Sequence, residues 1–217
     1  MPYWSKLPCN YHSLTPLCDG PTFALKSGDI GFYVELSDDG SFKFEHTVII
    51  GRSNNWLVHS NKVRGVYTSN LNKFRKAVFF RFNGMSGVAE GASALAHHWS
   101  RGHYHSGDSA FEETTHQVVG FSSAHWKGFR AANAALGMSA FGPGARARLA
   151  KYRKRENIAP KNTICSEMVI LAYQLIVGIE EECYGFINLD AKHTLPATLA
   201  LYLNNNPYWS LIGRGGR

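Results

Sequence analysis

The sequence lacks the features that define several large protein classes. Its longest strongly apolar run, residues 168–177, is too short to span a bilayer, and residues 1–8 contain no apolar segment such as a signal peptide needs. We therefore expect a chain without a transmembrane segment or a signal peptide, which either stays inside the cell or leaves it by a route that needs no such signal. The sequence also has no internal repeat and no glycine-rich phosphate loop.

Cysteine is scarce, with four in 217 residues, and no two have the spacing of a zinc site. Cys9 and Cys18 flank a short proline-containing loop and either form a disulfide in an oxidising compartment or remain reduced. A histidine-rich stretch over residues 97–105 has no acidic or cysteine ligand at helical spacing, which favours an exposed polar loop over a metal site. The sequence thus predicts neither a metal nor another cofactor.

Acidic residues are outnumbered, 16 against 23 basic ones, which gives a net charge of +7 and a pI of about 9.3. This balance favours an anionic partner such as nucleic acid, a membrane or a cell wall. The basic run over residues 146–155 has no aromatic platform, so we interpret it as a solvated helix face and expect no specific nucleic-acid partner. The length and the 44% of apolar residues fit one domain with a substantial core.

The most informative stretch is a helix that begins near Cys165. It is apolar on nearly every side through Val177, which is typical of a helix buried in the middle of a domain. Asn162 or Thr163 is expected to cap its start and Gly178 to end it. Cys165 would then lie in the first turn, where free N–H groups and the helix dipole favour a thiolate. The alternative is an unreactive buried cysteine.

The rest of the chain predicts a succession of strands followed by helices. The predicted strands cover residues 28–36, 41–50, 56–60, 65–68 and 77–82, and the predicted helices cover 85–100, 124–137, 146–155 and 195–203, with a loop at 138–144. Alternation along the second strand predicts one common face for its even-numbered residues Phe42, Phe44, His46, Val48 and Ile50.

Two histidines on adjacent strands are candidates for a site. His46 and His59 fall directly opposite each other if the hairpin loop is centred between residues 52 and 53, with Cβ atoms roughly 4.5–5.5 Å apart. Either each ring is satisfied structurally, or the pair serves a reaction, because burying an unpaired polar group costs about 1–3 kcal/mol. A cysteine nucleophile needs a base and the base needs an orienting group, and Cys165, His46 and His59 supply these three kinds of group.

Several motifs in this order resemble one known family. They are Leu25-Lys26-Ser27-Gly28-Asp29-Ile30 before the first strand, His46-Thr47-Val48-Ile49-Ile50-Gly51 on the second, His59 on the third, Leu136-Gly137, and Cys165-Ser166-Glu167-Met168 at a late helix start. The set resembles the circularly permuted branch of the NlpC-type papain-like cysteine hydrolases.

The resemblance implies a fold and a site. The fold would be α+β and permuted papain-like, an antiparallel sheet packed against the helix that bears the nucleophile, in one catalytic domain over residues 1–217 with 61–125 as an insertion or cap. Cys165 would attack an amide carbonyl, His46 would act as base and His59 would orient it. The N–H of Cys165 would help form the oxyanion hole, with Tyr33 and Ser166 as candidate oxyanion or substrate-binding residues, and no cofactor would be needed.

The resemblance also implies a biological setting. Relatives of the lecithin-retinol-acyltransferase type carry Asn-Cys-Glu-His at the nucleophile, whereas this chain has Ile164-Cys165-Ser166-Glu167 and is nearer to the bacterial hydrolases. Similar enzymes include type VI secretion effectors that cleave peptidoglycan peptides. We therefore expect a peptidoglycan peptide substrate, an immunity protein and a secretion-apparatus carrier as partners, and antibacterial action in the target cell periplasm. The alternatives are a thiol-dependent lipid hydrolase or acyltransferase, and a non-catalytic basic module that binds an anionic polymer.

Overall fold

A computed structural model of the chain describes residues 4–5, 10–17, 24–36, 38, 42–52, 56–71, 76–100, 120–121, 139–154, 160–178 and 186–215. These residues form an α+β fold. The strands are β1 (Trp4–Ser5), β2 (Ile30–Leu36), β3 (Phe42–Ile50), β4 (Trp56–Asn61), β5 (Gly65–Asn70), β6 (Ala77–Phe82), β7 (Gly120–Phe121), β8 (Asn162–Thr163) and β9 (Trp209–Gly215). The helices are α1 (Val88–His98), α2 (Pro143–Arg153), α3 (Cys165–Val177) and α4 (Pro196–Asn205).

The main sheet has six antiparallel strands in the order β5-β4-β3-β2-β6-β9, and the short β1 pairs with one end of β3. Strands β7 and β8 form a separate parallel pair. Part of the proline-rich leader lies against β9, where Leu17 donates its N–H to the Arg214 carbonyl and Arg214 donates its N–H to the Thr15 carbonyl. The leader is therefore tied to an edge of the sheet at these residues.

Helix α3 is the centre of the core. All of its residues from Cys165 to Leu175 are buried, as its apolar sequence predicts, and the helix ends at Gly178, which has a φ of 88°. It shares one apolar cluster with α1, α4 and one side of the sheet, and a second, smaller cluster that includes Leu25, Val48 and Ile50 covers the other side. The sheet is therefore buried on both faces around β2 and β3.

The residues just before β2 have a structural role, because they make close packing contacts and hydrogen bonds to neighbouring elements. Gly28 has a φ of +89°, and a Cβ there would lie 2.3 Å from the carbonyl oxygen of Ala89 at the start of α1. Asp29 accepts two hydrogen bonds from the Arg81 guanidinium, at 2.9 and 2.7 Å, and one at 2.7 Å from the N–H of Lys26. These contacts join the entry of β2 to α1 and β6.

The predicted elements agree with the structure except at particular places. The helix at 146–155 begins earlier, at Pro143, because proline fits the first turn of a helix, so the predicted loop at 138–144 is wrong at its end. Strand β9 was not predicted. The predicted helix at 124–137, with Leu136-Gly137, lies outside the described residues.

Residues 65–98, which lie within the segment predicted to be an insertion or cap (61–125), contribute β5, β6 and α1 to the fold. Strand β5 continues the sheet beyond β4, and β6 lies inside the sheet between β2 and β9. Helix α1 packs against α3, where the side chain of Ile176 comes within 3.1 Å of the place where a Cβ of Gly91 would be. Apart from β7, residues 101–125 lie outside the described residues.

Candidate active site

The site lies at an unpaired part of one edge of β3. On this edge, β1 pairs with Phe42 and Lys43, and β4 pairs with Ile49 and Ile50. Among the described strands, none pairs with residues 44–48 on this side. The N-terminus of α3 reaches β3 and β4 here, because the Thr47 N–H bonds the Cys165 sulfur and the Ser60 hydroxyl donates to the Thr163 carbonyl at 2.9 Å.

A β-bulge decides which residues of β3 share a face. Tyr33 of β2 pairs with His46, but the next residue, Val34, pairs with Phe44, so Glu45 is an extra residue in β3. The prediction of one face for all the even-numbered residues is therefore wrong for Phe44. Its ring packs on the helix side of the sheet, whereas Val48 and Ile50 lie in the opposite cluster.

The two histidines meet, although not in the predicted register. The pairs Ile49–Val58 and Ile50–Leu57 shift the hairpin by two positions, so His46 and His59 are diagonal rather than directly opposite. Their side chains bridge the diagonal, with Nε2 of His46 2.8 Å from Nδ1 of His59.

The hydrogen-bonded chain extends in both directions. The charge of His46 and a hydrogen bond from it lower the pKa of Cys165, and because Nε2 of His46 faces His59, its Nδ1 is the nitrogen available to the sulfur. On the other side, Nε2 of His59 lies 2.9 Å from the hydroxyl of Ser69 on β5. The structure thus joins His46, His59 and Ser69 in one hydrogen-bonded line, and His46 acts on Cys165 at one end of it.

Cys165 is the first residue of α3, but the predicted cap is wrong. Ile164 occupies the N-cap position, since Asn162 and Thr163 are paired with β7 in the strand β8. A carboxylate oxygen of Glu167 accepts the Ile164 N–H at 3.4 Å. The backbone N–H of Ser166 lies in the first turn, free of the helix ladder, and its hydrogen bond lowers the pKa of Cys165.

The environment of Cys165 lowers its pKa. Burial, which leaves the residue 8% exposed, is the largest single effect and acts to raise the pKa of the thiol. It is outweighed by the charge of His46, the hydrogen bond from His46, and the N–H groups of Thr47 and Ser166. The arrangement therefore favours the thiolate form of Cys165.

His59 is held neutral. Burial, and then the charge of His46, lower the pKa of His59 to about 3. A neutral His59 keeps one unprotonated nitrogen, which can accept a hydrogen bond from a protonated His46. This is the electrostatic arrangement expected of a base and its orienting partner.

Two tyrosines flank the histidines. The Tyr33 ring stacks on His46 with 5.5 Å between ring centroids, and the Tyr67 ring lies 4.2 Å from the His59 ring. Burial, and then Tyr67, raise the pKa of Tyr33, so its hydroxyl stays protonated and able to donate. The Arg64 guanidinium lies 5.4 Å from the Tyr67 ring centroid, and the hydroxyl of Tyr67 accepts from Asn61 at 2.8 Å.

Ser166 has a different environment from the one that a substrate-binding residue needs. Its side chain is fully buried, and its hydroxyl donates to the Thr194 carbonyl at 2.7 Å. This bond fixes the first turn of α3 against the segment that precedes α4. Only the backbone N–H of Ser166 faces the sulfur.

Three groups of the site were not predicted from the sequence: the side chains of Tyr67 and Ser69, and the backbone N–H of Thr47. The predicted strand ended at residue 68, whereas β5 continues to Asn70. A longer strand would have placed Tyr67 and Ser69 on one face by alternation. The role of the Thr47 N–H depends on the gap beside β3, for which the sequence has no local signal.

Other predictions concern residues outside this site. Cys165 is a free cysteine, while Cys9, Cys18 and Cys183 lie outside the described residues, as do His103 and His105. Within the described part of the chain, no three His, Cys, Asp or Glu side chains form a group that could hold a metal. None of the helices that the structure describes has the length and hydropathy needed to cross a membrane.

Comparisons with known proteins do not identify a relative. No protein-family model, no curated protein and no solved structure matches this chain.

Proposed function

We propose that the protein is a cysteine hydrolase that cleaves an amide bond, with Cys165 as nucleophile, His46 as general base and His59 as orienting residue. The observation that carries the proposal is the 2.8 Å contact between His46 and His59 beside Cys165, whose pKa His46 lowers. A buried cysteine with only a structural role has no need of an imidazole against its sulfur, or of a second one behind the first.

The proposed reaction follows from the protonation states. The thiolate of Cys165 attacks the carbonyl carbon, and the His46 imidazolium gives its proton to the leaving amine, which departs and leaves an acyl-enzyme thioester. Water then attacks the thioester while His46 takes its proton, the C–S bond breaks and the carboxylic acid product leaves, which restores the thiolate of Cys165 beside the protonated His46. His59 accepts from His46 throughout and keeps the ring in place.

Oxyanion stabilisation is assigned to groups around the start of α3. The N–H of Cys165 belongs to the first turn of the helix, where backbone N–H groups have no partner within the helix. Tyr33 is the proposed side-chain donor, because its hydroxyl stays protonated and its ring stacks on His46. Ser166 contributes through its backbone rather than through its hydroxyl.

The proposed fold type is permuted papain-like, of the NlpC type. The order of the elements supports it, with both histidines on early neighbouring strands and the cysteine at the start of a late helix that packs on the same sheet. The motif residues Leu25, Gly28, Asp29 and Ile30 have the structural role expected for the entry of the first core strand.

The proposed substrate is a peptidoglycan stem peptide. Such peptides carry free carboxylates, and Arg64 supplies a positive charge beside Tyr67, whose ring contacts His59. We propose that the enzyme acts as a secreted antibacterial toxin of the type VI effector kind in the periplasm of a target cell. An immunity protein and a secretion-apparatus carrier are the partners that this role requires.

The test is mass spectrometry of purified peptidoglycan after incubation with the wild-type protein, Cys165→Ala and His46→Ala. We expect new peptide fragments with the wild type and none with either variant. Circular dichroism shows whether the variants keep the fold. In a parallel assay, phospholipid vesicles and a thioester substrate test the acyltransferase alternative. Turnover of the lipid or thioester substrate, while peptidoglycan stays uncleaved, would contradict amide hydrolysis. Equal amounts of peptide fragments from the wild type and from Cys165→Ala would contradict a cysteine mechanism.

A further inference from the structure

We infer that Ser69 is a fourth, positioning member of the site, which selects the tautomer of His59 and through it favours the charged pair of Cys165 and His46. This inference rests on the proposed function, because it concerns how that same site is kept ready to react.

The inference starts from the geometry of His59. Both of its ring nitrogens have a partner, Nδ1 at 2.8 Å from His46 and Nε2 at 2.9 Å from the Ser69 hydroxyl. Because His59 is only 6% exposed, water cannot readily replace either partner. Each of these two contacts therefore constrains which nitrogen carries the single proton of the neutral ring.

One arrangement of protons satisfies the whole line when the thiolate forms. His46 is then protonated on both nitrogens and donates from Nδ1 to the Cys165 sulfur and from Nε2 to His59. His59 must accept at Nδ1, so its own proton is on Nε2, and that N–H donates to the Ser69 hydroxyl oxygen. Ser69 is the acceptor that this tautomer needs.

Loss of the hydroxyl would favour the opposite tautomer. Without an acceptor, an N–H at Nε2 of His59 would be buried unpaired, which is unfavourable. With the proton on Nδ1 instead, His59 would donate to His46, whose Nε2 would have to be unprotonated. The imidazolium would lose its acceptor, and the thiolate of Cys165 would lose part of its stabilisation.

The test is the pH dependence of Cys165 alkylation by iodoacetamide, followed by peptide mapping so that the other three cysteines are not counted. We expect Ser69→Ala to shift the midpoint upward by roughly half to one pH unit and to lower kcat/KM about 10- to 100-fold, the loss that is typical when the hydrogen-bonded partner of a metal-ligating side chain is removed. Ser69→Thr keeps a hydroxyl and should retain the wild-type midpoint. Thr68→Val is the matched control, because it removes the neighbouring hydroxyl of the same strand from the opposite face.

An unchanged midpoint in Ser69→Ala, or an equal shift in Thr68→Val, would overturn the inference. Neither result would contradict the proposed function, provided that the wild-type protein cleaves peptidoglycan peptides. Conversely, absence of cleavage would contradict the proposed function, while the alkylation midpoints, which need no substrate, would still decide the role of Ser69.

Discussion

At the scale of single residues, His59 makes the stability of the protein depend on pH. Its pKa is 6.5 in an unfolded chain and about 3 in the folded protein, so between these values the unfolded chain binds a proton that the folded protein does not. The contribution of His59 to stability is thus fully present above pH 6.5 and is lost as the pH falls toward 3. Between pH 7 and pH 4.5 the expected loss is roughly 2–3 kcal/mol.

Urea unfolding at these two pH values, in the wild type and in His59→Gln, measures the effect. Glutamine has no proton to gain, so the variant should lose less stability than the wild type over the same interval. Groups that are remote from His59 titrate alike in both proteins and cancel in the comparison. Equal losses in the two proteins would mean that His59 is not held neutral by the fold.

A second residue-scale prediction concerns Arg64, whose guanidinium lies beside the site. If it binds a substrate carboxylate, Arg64→Gln should raise KM about tenfold or more, since a hydrogen bond to a charged group contributes about 1.5–3 kcal/mol. The value of kcat should change little, because Arg64 does not reach the reacting atoms in the proposed mechanism.

Steady-state kinetics on stem peptides with free and with amidated carboxylates separates charge recognition from other effects. The increase in KM should appear only with the free carboxylate. Lys62→Gln, an exposed change on the same turn, is the control and should have a smaller effect. An equal increase with both substrates would exclude carboxylate recognition by Arg64.

At the scale of secondary-structure elements, Gly28 determines how closely α1 approaches β2. Gly28→Ala should destabilise the protein by roughly 2–5 kcal/mol, because the positive φ costs about 1–2 kcal/mol and the new Cβ meets the backbone of Ala89. Gly87 is the matched control, since its φ is +83° and a Cβ there has no atom within 4 Å. Gly87→Ala should cost only about 1 kcal/mol.

Thermal or chemical unfolding of the two variants gives the comparison directly. A difference of about 2 kcal/mol isolates the steric contact from the backbone strain that the two positions share. If Gly28→Ala lowered the free energy of unfolding no more than Gly87→Ala, that result would contradict the close approach of α1 to the start of β2.

Most of these elements are predictable from the sequence because their signals are local. Strand β6 is predicted at its observed bounds. Helix α3 is predicted because a run of apolar side chains this long must be buried in the core of the domain. The bulge at Glu45 and the cap at Ile164 are not predictable in this way. Both depend on which strand pairs with which, and that is decided by distant parts of the chain.

At the scale of the whole molecule, the sequence predicts the three members of the candidate site but not how they come together. Spacing alone suggests that His46 and His59 are neighbours, yet their contact follows from a register two positions away from the expected one. The gap in the edge of β3 admits the start of α3, and it exists because β1 and β4 each cover only one end of that strand. The placement of β5 beside β4 then brings Ser69 to the same site.

The central claim is that His46 converts the buried thiol of Cys165 into a reactive thiolate. The pH midpoint of Cys165 alkylation in the wild type and in His46→Gln tests it most directly. We predict a wild-type midpoint below the usual thiol value of about 8.5 and an upward shift of at least about one unit in the variant, where burial is no longer opposed by the imidazolium. A wild-type midpoint at or above the usual value, unchanged by His46→Gln, would contradict the account.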